Sequence, residues 1–443
     1  MSELQRDANT LKITDLRVCD IDGIPKHCIL LKIYTNQGIV GLGEVRDASS
    51  ATYALMLKKR LLGENPLNVE KLFNRIKQFG GHSRQGGGVS GIEIALLDIV
   101  GKFYNIPLYQ LLGGKYRDKV RIYCDTDVDG KHTGTDMGNA LKKRIEQGFT
   151  FLKMDLGIEL LYDEEGCINA PKGFIEDLKK YNMKAISHQS GSIDKSLMFG
   201  KNYEVFTIPH FATGISITEK GLDYLEDYVK QIRDVIGYEI PLAIDHMGHI
   251  GTGSCISLAK RLEKYNIAWI EDISPWHMTD LIKKVSDNTT IPVCTGEDIY
   301  LAENFESLLK SHAISVVHPD LLTIGGAYQL KKLGDLCEKY GASLAIHMAE
   351  SPIAFLAAVH VAAALKNVIA IEFHSVDHPE WFDLVKPAVK IEDGFVKVPE
   401  VGGIGIDDLN EDMIKKYMKE KPKGYFEPTD EWNDEWANDR EWS

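Results

Sequence analysis

The stretch from PLAID (241–245) to VIAIE (368–372) places an ionisable side chain at the end of a short apolar run about every 25 residues. Between these two runs lie IAWIE (267–271), IPVCTGE (291–297), AISVVHPD (313–320) and ASLAIH (342–347). A strand, a turn, a helix and a return loop need about that many residues, so the spacing predicts a βα repeat. In a closed βα barrel the carboxyl ends of the strands share one face, where active sites lie. Six strand-end residues are therefore predicted to share one pocket: Asp245, Glu271, Glu297, Asp320, His347 and Glu372.

Two further strands precede this stretch, KVRIYCD (119–125) and TFLKMD (150–155), and helical segments separate the strands. Eight strands that alternate with helices favour an α/β barrel over an open sheet. The second and third strands are unusually far apart, which indicates an insertion of roughly 60 residues at about 156–218. A segment of that length on the catalytic face is typical of a lid or a binding loop, and an interface-forming embellishment is the alternative.

The regions outside the barrel have different patterns. Residues 11–46 alternate apolar and polar side chains in three runs with a turn at Asn36-Gln37-Gly38, which predicts an antiparallel meander. Residues 51–112 have helical periodicity, and the chain becomes strand-like again after 385. We therefore predict an N-terminal α+β capping domain (1–118), a barrel (119–385) and a C-terminal segment (386–443) that returns to the capping domain. Its acidic, tryptophan-containing tail is expected to pack loosely.

Composition excludes several classes of protein. The net charge of −14 and the lack of a basic run argue against a nucleic-acid partner. The seven cysteines are scattered and lack a CxxC spacing, which predicts reduced thiols rather than disulfides or a zinc site. The N-terminus lacks the apolar core of a signal peptide, and no apolar stretch of about 20 residues predicts a membrane span. A cytoplasmic location without membrane attachment is expected.

Three of the strand-end residues suit a metal ion. Asp245, Glu271 and Glu297 end consecutive strands, and carboxylates brought together repel one another unless a cation lies between them. Hard oxygen ligands on separate strands suit Mg²⁺. The alternative is that each carboxylate caps the helix that follows its strand.

Taken together, these motifs resemble the enolase superfamily, in its mandelate racemase/muconate lactonizing enzyme-like branch. The resemblance rests on SGIEIALLDIVGKFYNIPLYQLLGG (90–114), VCTGED (293–298), VHPDLLTIGGA (317–327) and AIHMAESP (345–352). It implies a capping domain over a modified (β/α)7β TIM-type barrel. It also implies that His347, oriented by Asp320, abstracts a proton, that Glu372 hydrogen-bonds the substrate, and that Lys153 is a fixed positive charge near the substrate carboxylate.

Two positions depart from the family pattern. The branch has Lys-x-Lys on the second strand, with the second lysine as a base, whereas this chain has Lys153-Met154-Asp155. An ordinary carboxylate such as Asp155 is too weak a base to replace that lysine, which weakens a racemase interpretation. The other departure is Met247, two residues after Asp245, where the family often has Asn or His. The flanking His246 and His249 are candidates for carrying a proton to a leaving group, and a structural role is the alternative for each. Protonated His347 is itself a further candidate if the proton and the hydroxyl leave from one face.

The resemblance and the departures together predict Mg²⁺-dependent dehydration of an acid sugar to a 2-keto-3-deoxy acid. The alternatives are a cycloisomerase, an epimerase or racemase of a sugar acid, and a catalytically silent metabolite-binding protein. The expected partner is a small-molecule carboxylate, and the chain is expected to form a homo-oligomer. Specificity residues are expected in the loops near 20–25 and 46–50 and in the insertion.

Overall fold

The computed structural model of this chain describes residues 6–22, 26–128, 130–170, 173, 216–245, 250–419 and 424–434. The chain divides into two compact units. Unit one comprises Met1–Ile122, Gly296–Glu306 and Val317–Ser443, and unit two comprises Tyr123–Thr295 and Ser307–Val316. The domain boundaries predicted near 118 and 385 stay predictions, because the strands of the repeat are divided between both units.

The N-terminal part of unit one contains the predicted meander. Strands β1 (Ile13–Ile21), β2 (Cys28–Thr35) and β3 (Val40–Val45) pair antiparallel in sequence order. Five helices follow: α1 (Thr52–Leu55), α2 (Lys58–Leu61), α3 (Val69–Ile76), α4 (Gly87–Tyr104) and α5 (Leu108–Leu111). Two glycines let β3 approach α4, because a Cβ at Gly41 or Gly43 would collide with the backbone of the helix.

Helix α4 is buried along nearly its whole length, and its buried carboxylates have partners. The Asp98 carboxylate accepts hydrogen bonds from the backbone N–H groups of Leu42, at 2.9 Å, and Ile404, at 3.0 Å. Burial raises the pKa of Glu93 to about 8, although Glu93 accepts hydrogen bonds from the backbone N–H groups of Ala327 and Tyr328. The bonds from Ile404, Ala327 and Tyr328 connect the helix to segments more than 200 residues away within the same unit.

The middle of the chain alternates strands and helices. Its strands are β4 (Lys119–Tyr123), β5 (Leu152–Asp155), β6 (Ile168–Asn169), β7 (Ser216–Ile217), β8 (Leu242–Asp245), β9 (Ile267–Glu271) and β10 (Val293–Thr295). Its helices are α6 (Gly134–Glu146), α7 (Glu219–Ile236), α8 (Thr252–Leu262) and α9 (Thr279–Ser286). In unit two, β5, β8, β9 and β10 form a parallel sheet in that order, with Asp155 paired with Asp245 and Glu271 with Cys294.

The remaining elements lie between residues 306 and 417. The helices are α10 (Glu306–Lys310), α11 (Leu321–Ile324), α12 (Ala327–Tyr340), α13 (Pro352–Ala363), α14 (Pro379–Phe382) and α15 (Glu411–Tyr417). The strands are β11 (Val316–Val317), β12 (Ser343–Ile346), β13 (Val368–Glu372), β14 (Val385–Lys386), β15 (Ile391–Glu392), β16 (Phe395–Lys397) and β17 (Asp408–Leu409). In unit one, β12 and β13 are parallel. Helix α13 is buried throughout, and all its residues except His360 are apolar.

All seven cysteines are free and buried, as expected for reduced thiols. Among the described residues, no helix combines the length and the apolar character that a membrane crossing requires. Of the predicted insertion, only 156–170, 173 and 216–218 are described, and they include a 3-10 turn (Ile158–Leu161) and the antiparallel pair β6–β7.

Candidate active site

A histidine and an aspartate form a buried pair in unit one. His347 directly follows β12, and Asp320 directly precedes α11. Nδ1 of His347 lies 2.7 Å from Oδ2 of Asp320, while Oδ1 of Asp320 accepts the backbone N–H groups of Leu322 and Thr323 at 2.7 and 2.9 Å. These contacts fix the carboxylate and leave Nε2 of His347 as the nitrogen that can exchange a proton. That Nε2 lies 3.3 Å from Oε2 of Glu297.

Arg46 supplies positive charge beside this pair. Its side chain is fully buried after β3, and NH1 donates a 2.7 Å hydrogen bond to the backbone carbonyl of Glu297. Burial acts to raise the pKa of Asp320, but the Arg46 guanidinium and the hydrogen bond from His347 hold that pKa well below its usual range. The guanidinium lies within 4 Å of five carboxylates: Asp47 (3.5 Å), Asp298 (3.6 Å), Glu297 (3.7 Å), Asp320 (3.8 Å) and Glu350 (3.9 Å).

Glu350 differs from the other carboxyl groups around Arg46. It is fully buried, and burial together with the negative charges of Asp320 and Asp47 raises its pKa well above the usual range. This shift favours the protonated, neutral form of Glu350, which can donate a hydrogen bond to Asp320. One of its oxygens accepts the backbone N–H of Ala349 at 2.8 Å.

Two more histidines flank Glu372 in the same unit. His318 Nδ1 lies 2.6 Å from the Ala345 carbonyl, which can only accept, so this nitrogen carries a hydrogen. His318 Nε2 lies 3.1 Å from Oε2 of Glu372, and His374 Nε2 lies 3.5 Å from Oε1. The ring of His347 lies 5.4 Å from that of His318 and 5.8 Å from that of His374. Glu372 thus bonds to His318 and lies beside His374, and the rings of both histidines are close to that of His347.

In unit two, a lysine lies between two buried strand-end carboxylates. Lys153 Nζ is 2.7 Å from Oδ2 of Asp245 and 3.3 Å from Oε1 of Glu271. Trp269 Nε1 donates a 2.8 Å hydrogen bond to the other oxygen of Glu271. Oxygens of Asp245, Glu271 and Asp272 lie within 4.8 Å of one another, which fits the donor set of a hard divalent cation. The parallel register of β5, β8 and β9 produces this cluster.

Asp155 lies in a second carboxylate group of unit two. Oxygens of Asp125, Asp155 and Asp245 are within 4.8 Å of one another. Asp125 was not among the residues singled out from the sequence, although it ends the run KVRIYCD in the same way that Asp155 ends TFLKMD. Its backbone bridges to Lys153, so the first two strands of the repeat contribute neighbouring carboxylates.

The candidate residues that the structure describes are divided between the two units. Asp320, His347, Glu297 and Glu372 lie in unit one, and Lys153, Asp155, Asp245 and Glu271 lie in unit two. His246 and His249 lie outside the described residues, as does the apolar segment KNYEVFTIPHF (201–211). Sequence reasoning missed Arg46, His318, Glu350 and His374. The sequence could have indicated the two histidines, because each lies two residues from a predicted site residue. Side chains two residues apart in a strand point to the same face of the sheet.

Comparison with known proteins identifies the class. A family model described as "Enolase C-terminal domain-like" matches residues 136–413, and one for the mandelate racemase/muconate lactonizing enzyme N-terminal domain matches 25–113. The chain belongs to the enolase superfamily, in its mandelate racemase/muconate lactonizing enzyme branch, and it has the family fold of an N-terminal cap and a mostly parallel α/β barrel. Members of this superfamily use a divalent metal, and candidate acidic groups for one are present here.

Several similar proteins within this superfamily are named as sugar acid dehydratases. D-xylonate dehydratase of Haloferax volcanii is 31% identical over 422 residues, which covers 94% of this chain and 90% of the relative. D-galactonate dehydratase of Ralstonia pickettii is 25% identical over 90% of this chain and 93% of its own length. A crystal structure of an enolase superfamily member from Salmonella Typhimurium has a TM-score of 0.75 at 26% identity, covering 92% of this chain and 98% of that one.

Proposed function

We propose that this chain is a Mg²⁺-dependent dehydratase that converts an acid sugar into a 2-keto-3-deoxy acid. The observation that carries the proposal is the buried His347–Asp320 pair, whose 2.7 Å contact orients Nε2 of His347 as a base. The 31% identity to a D-xylonate dehydratase supports the same reaction class and favours sugar acids as the first substrates to examine.

The residues present fit a divalent cation. Asp245 and Glu271 are buried carboxylates with oxygens close to each other and to Asp272, and Glu297 ends the next strand of the repeat. We infer that Asp245, Glu271 and Glu297 hold Mg²⁺, with Glu297 assigned by its place in the repeat and by family membership. When bound, the cation supplies a Lewis acid for the substrate carboxylate and makes the α-proton more acidic.

The protein side chains perform the remaining steps. Lys153 contributes a fixed positive charge beside the substrate carboxylate. His347 removes the α-proton through Nε2, and Asp320 stabilises the resulting imidazolium through its contact with Nδ1. Glu372 hydrogen-bonds the substrate. The β-hydroxyl then leaves as water, and the enol product tautomerises to the keto acid.

Asp155 distinguishes dehydration from racemisation. Racemisation needs a base on each face of the substrate, and the branch normally places a lysine at this position. Asp155 is a carboxylate beside Asp125 and Asp245, so it lacks the basicity of that lysine. We therefore assign Asp155 a supporting role near Lys153 and expect the α-proton to leave from one face. Assembly as a homo-oligomer and a cytoplasmic location accompany the proposal.

The decisive experiment measures two products in D₂O. The purified protein with Mg²⁺ is incubated with a panel of pentonates and hexonates, beginning with D-xylonate. We expect α-proton exchange by NMR and formation of a 2-keto-3-deoxy acid from at least one member. Interconversion of two epimers with no keto acid would overturn the reaction assignment. Absence of both exchange and product across the panel, with Mg²⁺ binding intact, would favour a binding protein.

A further inference from the structure

His374 is a histidine beside the proposed base that proton abstraction does not use. It lies two residues after Glu372, the last residue of β13, and its Nε2 lies 3.5 Å from the Glu372 carboxyl group. Its ring centroid lies 5.8 Å from that of His347, at an interplanar angle of 58°. A molecule that contacts the His347 ring is therefore also within reach of the His374 ring.

Exposure separates His374 from its neighbours. The side chains of Glu372 and His318 are 0% exposed and that of His347 is 7% exposed, whereas that of His374 is 23% exposed. The Nε2 atom of His374 is itself buried, so the exposed surface belongs to the remainder of the ring. The Nε2 side of the ring therefore faces the buried Glu372 carboxyl group, while the rest of the side chain is partly exposed.

The proposed dehydration requires an acid at a second position. Hydroxide is a poor leaving group, and loss of the β-hydroxyl is much easier when a positioned acid protonates it. We propose, on the basis of the proposed function, that His374 is that acid. It donates its Nδ1 proton to the departing hydroxyl, while its Nε2 faces the Glu372 carboxyl group at 3.5 Å.

The step balances in atoms and electrons. The Nδ1–H bond of protonated His374 breaks and an O–H bond forms on the β-oxygen. The Cβ–O bond breaks with its electron pair on oxygen, water departs, and the electron pair from the lost Cα–H bond forms the Cα=Cβ bond. His347 ends the step protonated and His374 ends it neutral. One proton returned to His374 and one released from His347 restore the starting state.

The test replaces His374 with Asn and compares two leaving groups. The first substrate is the acid sugar that the wild-type protein dehydrates, and the second is its 3-deoxy-3-fluoro analogue, whose fluoride needs less protonation to leave. For His374→Asn we expect keto-acid formation from the hydroxy substrate to fall by about 10²–10⁴-fold, with α-proton exchange and fluoride release kept within about tenfold of wild type. His378→Asn is the matched control, since His378 lies in the same loop with a half-exposed side chain.

Each other outcome would overturn the proposal. Unchanged dehydration by His374→Asn would return the acid role to His347, His246 or His249. Equal losses of exchange, dehydration and fluoride release, with an unchanged melting temperature, would show that His374 supports proton abstraction. If the wild-type protein itself shows no exchange, the proposed function fails first, and this result is distinguishable because it needs no variant.

Discussion

Among the described residues, the buried carboxylates around Asp320 in unit one and those of Asp245 and Glu271 in unit two have their negative charge balanced in different ways. The Asp320 carboxylate is surrounded by positive or hydrogen-bonding groups in fixed positions: two backbone N–H groups, His347 and the buried Arg46. In unit two, Asp245 and Glu271 share the flexible ammonium group of Lys153. The first arrangement holds one imidazole in a fixed orientation.

The difference indicates two separate tasks. A carboxylate saturated by fixed donors positions a base and has no need of an added cation. A single ammonium cannot neutralise two buried carboxylates with a third, Asp272, nearby, so that cluster favours an added divalent cation. Replacement of the carboxyl group by an amide should therefore have a large effect at Glu271 in unit two and a small effect at Glu350 in unit one.

The largest expected effect concerns the metal cluster. Chelation with EDTA or the substitution Glu271→Gln should remove measurable dehydration, because the substrate carboxylate loses its Lewis acid. Mg²⁺ at about 100 times its Kd should raise the free energy of unfolding of the wild-type protein by about 2.7 kcal/mol, and far less in Glu271→Gln. Thermal melts with and without Mg²⁺ measure this, with exposed Glu239→Gln as the control. Full activity after chelation would refute the assignment.

The next effect concerns the base. His347→Asn keeps a polar side chain but removes the nitrogen that accepts the proton. Both α-proton exchange and turnover should fall by about 10²–10⁴-fold. The Mg²⁺-induced rise in melting temperature should remain, since His347→Asn leaves the three proposed carboxylate ligands unchanged. Exchange that persists at the wild-type rate would show that another group abstracts the proton.

Substitution of Arg46 tests how much the buried positive charge in unit one contributes to the stability of the protein. Arg46→Met leaves Asp320 and its neighbouring carboxylates without a buried positive charge, and about 3–5 kcal/mol of stability should be lost. Arg84→Met is the matched control, because Arg84 contacts Asp47 and Asp298 from a 40% exposed position and should cost about 1 kcal/mol or less. Urea denaturation measures both. Equal losses would contradict a special role for the buried site.

Substitution of Glu350 by Gln should have a much smaller effect on activity than the same substitution of Glu271. Glu350→Gln keeps a hydrogen-bond donor for Asp320, so activity and stability should change by about 1 kcal/mol or less. Glu350→Leu removes the donor and should lower turnover. Because burial raises the folded-state pKa, protonated Glu350 contributes stability that is complete below the ordinary value of 4.5 and is lost as pH rises through the raised value. Melting temperatures from pH 4 upwards should therefore decline less in Glu350→Gln.

Asp155 should give the smallest loss of activity. Asp155→Ala removes a carboxylate near Lys153 but leaves His347 untouched, so turnover should fall by less than in His347→Asn. Asp155→Lys restores the Lys-x-Lys pattern and adds a base on the second face. Epimerisation detected by NMR in Asp155→Lys, and absent from wild type, would support the one-base assignment, whereas epimerisation by the wild-type protein would contradict it.

The repeat of apolar runs was sufficient to predict the strands, because each run is buried and bounded by turn residues. The structure contains a strand at each predicted place, from β4 to β13, and helices α1 to α5 lie in the region 51–112 that was predicted to be helical. The same repeat selected Asp320 and His347, which the structure brings to within 2.7 Å. The residues at the strand ends can be predicted from sequence because the direction of each side chain along a strand follows from local backbone geometry.

The sequence alone determined the βα repeat, the positions of its strand-end ionisable groups and the chemistry those groups favour. Only the tertiary structure decided how each charge is balanced. Arg46, which was not singled out from the sequence, is fully buried among carboxylates up to 304 positions away along the chain, such as Glu350. Likewise, the neutral state of Glu350 and the placement of His374 beside His347 depend on burial and on distant neighbours. Electrostatic energies depend on three-dimensional distance and desolvation, which no local pattern contains.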